Sequence, residues 1–103
     1  MPLLTHDPVI EIFKALSEPI RLEIMARIVS VDELPCTALE KELPVSKSTI
    51  SYHMKILHRA GLIDIRKAGR YYHYRAREKE IEQLVPGVLH SLAKRRSIFG
   101  ESR

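Results

Sequence analysis

The stretch SKSTISYHMKILHRAGLIDIRKAGRYYHYR, residues 46–75, decides the fold. Ser46 stands where a helix N-cap is expected, with a hydroxyl oxygen able to accept one of the unpaired amides of a first turn. Ile50, Met54 and Leu57 then recur on one helical face, and Gly61 ends a helix that runs to about Ala60. Two β-prone runs follow, LIDIRK and RYYHYR, separated by Ala68-Gly69, which is the pattern of a hairpin. Pairing Lys67 with Arg70 sets Ile65 opposite Tyr72 and Ile63 opposite Tyr74 on a face expected to be core. Asp64, Arg66, Tyr71 and His73 share the other face, expected to be surface.

Working towards the N-terminus, Thr37 to Leu43 reads as a short helix with Leu39 and Leu43 facing inward, stopped by Pro44-Val45. SVDELPC before it reads as a loop. Asp7-Pro8 is an N-cap with proline at the first helical position, and Val9, Ile10, Ile12, Phe13 and Leu16 give a helix of about residues 8–16. Ser17-Glu18-Pro19 repeats the start signal. Ile20, Ile24 and Ile28, supported by Leu22 and Met25, define a second helix to about Val29. Beyond the hairpin, Ile81, Leu84, Val85, Val88, Leu89 and Leu92 predict an amphipathic helix of about residues 78–95, with a kink or break at Pro86-Gly87. The order is αααα-ββ-α, a mainly α fold with a β-hairpin wing: a winged helix-turn-helix.

The length of 103 residues fits one domain, with a core of about 8–95 and a flexible tail from 97 to 103. At 45% hydrophobic and 29% charged it has the composition of a globular chain. The start MPLLTHDP is too short and polar for a signal peptide, and no apolar run approaches a membrane span, so the expected location is the cytoplasm. The single Cys36 excludes an internal disulfide and a thiolate-only metal site. It reads as a small buried residue at a helix start, where a redox role is the alternative.

Charge is unevenly placed. Between Leu43 and Arg77 there are eight basic residues and one acid, whereas the rest of the chain holds nine basic and twelve acidic residues. Tyrosines and histidines interleave with the basic run, which points to a polyanion, nucleic acid above all. Opposite the Ile50-Met54-Leu57 face lie Ser48, Ser51, Tyr52, Lys55 and Arg59, with Lys47 at the helix start; none is an acid or a large aliphatic. Such a helix fits a major groove about 12 Å wide, its hydroxyls near base edges and its cations on phosphate. The candidate DNA-contacting set is Lys47, Ser48, Thr49, Ser51, Tyr52, Lys55 and Arg59 from the helix, with Arg66, Lys67 and Arg70 from the wing. The other reading is a winged-helix module whose basic face meets an acidic protein. Serines, histidines and aspartates have no nucleophile–base–orienter arrangement and the glycines form no phosphate loop, so no enzyme and no cofactor are expected.

Residues 46–75 resemble the recognition helix and wing of the ArsR/SmtB family of bacterial metal-sensor-type repressors. KALSEPIRLEIMARI, residues 14–28, resembles that family's second-helix signature, and the likeness extends over about residues 9–95. It implies a dimeric repressor of double-stranded DNA, released from its operator by a signal, with DNA contacts at Lys47, Ser48, Ser51, Tyr52 and the wing tip Lys67–Arg70. The implied dimer interface joins the first and last helices through Val9, Ile12, Phe13, Leu84, Val88, Leu89 and Leu92. Their apolar surface also exceeds what one small core requires.

The family's metal sites do not carry over. Where one site places a Cys-x-Cys pair this chain has Pro35-Cys36-Thr37, and at the other, aligned on His90, it has Arg77, Lys79 and Ala93. The ligand positions Pro35, Thr37, Arg77, Lys79 and Ala93 lack thiolate, imidazole and carboxylate donors, Cys36 falling between the first two, so no metal is expected. His53 and His58 diverge by about 140° around their helix; His53 reads as packing or capping and His58 as surface or phosphate-side. His6, His73 and His90 are scattered.

Overall fold

The computed structural model describes residues 7–99. Its elements run α1 (Pro8–Leu16), α2 (Pro19–Val29), β1 (Leu34–Pro35), α3 (Cys36–Glu42), α4 (Lys47–Arg59), β2 (Ile63–Ala68), β3 (Tyr71–Ala76), α5 (Glu78–Leu84) and α6 (Val88–Lys94). Capping chemistry sets the starts. The Asp7 carboxylate accepts from the amides of Val9 and Ile10 at 2.9 and 3.4 Å. Glu18 accepts from the Arg21 amide at 2.9 Å, and Pro8 and Pro19 occupy first helical positions. Ser46 caps α4 through a 3.1 Å bond from the Thr49 amide.

The end of α4 is a Schellman turn. Gly61 at φ +80° sends its amide to the His58 carbonyl, and the Leu62 amide reaches back to Leu57 at 3.1 Å. Leu57 and Leu62 are both buried, so the turn delivers the chain directly from the helix into β2.

Two expectations need correction. SVDELPC is not all loop: Leu34 and Pro35 form β1, which pairs antiparallel with β3, giving a sheet ordered β1-β3-β2. The hairpin register is Ile65 opposite Tyr74 and Ile63 opposite Ala76, with Gly69-Arg70 as the turn. Gly69 at φ +64° takes the first central position, as a type II′ turn requires. The change moves each partner by two residues and so leaves every side chain on its predicted face. That face is unevenly covered: Ile63, Tyr74 and Ala76 are buried, whereas Ile65 on the edge strand β2 and Tyr72 nearer the tip stand out at 38% and 44% exposure. The interruption expected at Pro86-Gly87 is a full break between α5 and α6, Gly87 lying at φ +88° with its amide on the Glu82 carboxylate.

The core gathers Ile12, Ile24, Met25, Ile28, Leu39, Ile50, Met54, Leu57, Leu62, Ile63 and Ile81, so the predicted inward faces of α2, α3 and α4 all meet there. Both α1 and α6 pack on α2. One carboxylate is drawn inside. Glu23, 2% exposed, accepts from Arg27 Nε at 2.9 Å and from the Ile98 amide at 3.0 Å. Arg27 also donates to Glu42 of α3 at 2.6 Å and to the Ser97 hydroxyl at 3.4 Å. Ser97 and Ile98, assigned to the tail on sequence grounds, are thus hydrogen-bonded onto α2, while 100–103 and His6 lie outside the described residues.

Candidate nucleic-acid interface

The two faces of α4 differ as its spacing requires. Ile50, His53, Met54 and Leu57 are buried. Ser48, Ser51, Tyr52, Lys55 and Arg59 are exposed, Tyr52 by 60%. Lys55 and Arg59 make no ion pair among the described residues, while Lys47 lies 3.9 Å from Glu40 of α3. Ser46 Oγ lies 3.1 Å from Ser48 Oγ and donates to Thr49 Oγ1 at 2.9 Å, so the cap and two of the candidate residues form one hydroxyl cluster. Thr49 is half-buried within it.

His53 is the side chain that seats this helix. It is 6% exposed, and its Nδ1 lies 3.1 Å from Arg21 Nη1 of α2. Arg21 cannot accept, so Nδ1 is the acceptor and the ring proton sits on Nε2. Arg21 Nε donates in turn to the Ala15 carbonyl at the end of α1, at 2.7 Å. Burial pushes the His53 pKa down; Glu18 pulls it back and Arg21 lowers it further. The neutral ring then packs edge-on against Tyr52, centroids 5.1 Å apart at 65°. Packing, expected for His53, is therefore joined by a half-buried hydrogen bond, while His58 is exposed.

In the wing, Arg70 sits at the turn and Lys67 reaches over the Tyr72 ring at 5.8 Å. Arg66 is placed differently from the other candidates, since its guanidinium is taken by Glu33. That hydrogen bond holds the Glu33 carboxyl below the usual carboxylate range and raises Arg66 in return. Neither Glu33 nor Arg21 stood out as a functional residue in the sequence. Glu33 lies 33 residues from its partner, and a two-residue strand is too short to show alternation.

Of the residues assigned to an interface between subunits, Phe13 and Leu84 are exposed, and Val9, Val88 and Leu89 are half-buried. Ile12 and Leu92 face their own core. No group of three or more histidine, cysteine or acidic side chains among the described residues is placed to hold a metal. Cys36 is half-buried at the first position of α3. No helix among the described residues is long and apolar enough to cross a membrane.

A helix-turn-helix domain family model matches residues 16–66. The uncharacterised HTH-type transcriptional regulator YceK of Bacillus subtilis is 40% identical over 83 residues, covering 80% of this chain and 83% of YceK. The arsenical resistance operon repressor of the same organism is 34% identical over 73 residues, 71% of this chain and 70% of the repressor. Among solved structures, HlyU from Vibrio cholerae superposes with a TM-score of 0.71 at 27% identity, over 85% of this chain and 94% of HlyU.

Proposed function

The chain belongs to the ArsR family of helix-turn-helix transcriptional regulators, and from that premise we propose that it is a homodimeric repressor, released by a signal from double-stranded operator DNA that it binds sequence-specifically. One observation carries the reading: α4 buries one face completely and presents on the other an acid-free set of Ser48, Ser51, Tyr52, Lys55 and Arg59. With α4 in a major groove, Ser51 and Tyr52 face base edges while Lys47, Lys55 and Arg59 reach phosphate. The wing's Lys67 and Arg70 then track the adjacent backbone. Two subunits joined through α1 and the α5–α6 segment would set two such helices about one helical turn apart, roughly 34 Å. The workplace of such a protein is the cytoplasm, and we assign it no catalytic step.

Release from DNA does not run through either metal site of the family in this reading, because the donor positions hold Pro35, Thr37, Arg77, Lys79 and Ala93. Selection of bound duplexes from a random pool tests the main reading. It should enrich an inverted repeat with half-sites about 10 base pairs apart, bound equally well in chelator and in added zinc, nickel or cobalt. A pool that stays random after repeated selection overturns sequence-specific binding. A stoichiometric metal that weakens the selected duplex tenfold overturns the metal-independent release.

A further inference from the structure

The hairpin carries four basic residues, Arg66, Lys67, Arg70 and Arg75. Among the described residues only Arg66 has an anionic partner. Its Nε and Nη2 donate to the two oxygens of Glu33 at 3.0 and 2.7 Å, fork on carboxylate. Glu33 comes from outside the hairpin, immediately before β1. Pro35 of β1 pairs with His73 of β3, and His73 pairs with Arg66 of β2, so the three side chains converge on one side of the sheet. The His73 Nδ1 lies 3.8 Å from the same Glu33 oxygen that Arg66 Nη2 holds.

A guanidinium fork grips a carboxylate and a phosphate by the same geometry. A cation already closed on a carboxylate neutralises no phosphate and releases no counterion from DNA. Resting on the DNA-binding reading above, we propose that Glu33 is an affinity-setting residue that competes with backbone phosphate for Arg66. The free protein then holds one wing cation per subunit away from DNA. Phosphate contacts carry no sequence information, so this restraint weakens binding to every duplex alike and leaves base reading to α4. Among the described residues Lys67, Arg70 and Arg75 close on no carboxylate, and Glu33 reaches Arg75 only through its charge, which divides the wing into one competed position and three open ones.

The test is a four-protein cycle on one random-sequence duplex, titrated at several salt concentrations: wild type, Glu33→Gln, Arg66→Gln and the double variant. Glu33→Gln should bind up to about fivefold tighter, the scale of an exposed ion pair, with a logarithmic salt slope steeper by about 0.9 per subunit. In the Arg66→Gln background the same change should leave the slope where it was. Equal increments in both backgrounds would mean that Glu33 acts only by its charge, and would overturn the proposal. So would weaker binding by Glu33→Gln, or a melting temperature well below wild type, since either marks Glu33 as a tether that builds the wing. If wild type binds no duplex at the lowest salt, the DNA-binding reading fails and takes this one with it. Binding by wild type with equal increments sinks the inference alone.

Discussion

Tyr52 and Arg70 stand at opposite ends of the candidate interface, and their losses leave different signatures. Tyr52 offers an exposed ring beside Ser51 on α4; in the proposed major-groove seat it would read bases, a contact worth about 1–3 kcal/mol of discrimination. Tyr52→Ala combined with Ser51→Ala should therefore lose preference for a selected site over a random duplex while keeping the salt-sensitive background. Arg70→Ala should weaken both and flatten the salt slope by about 0.9 per subunit, as parallel titrations at several salt concentrations would read. His53 adds a pH dependence. Its folded pKa lies below the ordinary 6.5, so the unfolded chain takes up the proton first as pH falls. Its contribution is fully present above about 6.5, declines as pH falls through the folded value, and is constant below. Urea unfolding of wild type should lose midpoint between pH 7 and 5, and His53→Gln should lose less. Tyr52 was legible because helical spacing alone turns it outward. The Arg21–His53 bond spans 32 residues of sequence; His53 read as packing or capping with no partner named, and spacing had no means of pairing it with Arg21.

At the scale of elements, local chemistry was readable wherever it was self-contained. Asp7-Pro8, Ser46 and Gly61 each mark a helix boundary through a bond made within a few residues, and each boundary falls within a residue of expectation. Gly61 gives the firmest prediction. A Cβ there would meet Arg77 only at an ordinary 3.6 Å, so the cost of Gly61→Ala is the left-handed backbone itself. That is about 1–2 kcal/mol, a drop in melting temperature of roughly 5–10 °C for a domain of this size. A melt unchanged by the substitution would show that the Schellman turn does not fix the exit from α4. What failed was non-local. The faces of the hairpin were correct because alternation fixes parity, but its register was displaced by two because the turn glycine suits either of two loop positions. β1 exists only because β3 is there to receive it, and two residues carry no periodicity of their own.

For the molecule as a whole, the segregation of basic charge into residues 43–77 was plain in the sequence and corresponds to α4 and the wing. The boundary between core and the proposed subunit contact was less legible, because buried and exposed apolar residues alternate along the same helices. Ile12 at 1% exposure and Phe13 at 54% are neighbours in sequence with opposite burial. Phe13→Asp should therefore convert a dimer to a folded monomer in sedimentation at micromolar concentration, whereas Ile12→Asp should unfold the chain. A wild type that sediments as a monomer would remove the dimer from the proposal. The buried Glu23 carboxylate has a consequence for isotope labelling. Burial pushes its pKa up, yet the Ile98 amide, the Ser97 hydroxyl and Arg27 outweigh that and hold it below the carboxylate norm of 4.5. The Ile98 amide, 75 residues along the chain from its acceptor, thereby becomes a deuterium clock for contact between α2 and the segment after α6. Corrected for intrinsic chemistry, its exchange should be slow at neutral pH and quicken only once Glu23 takes a proton, and a Glu23→Ala chain, which has no side-chain acceptor, should start the clock at every pH.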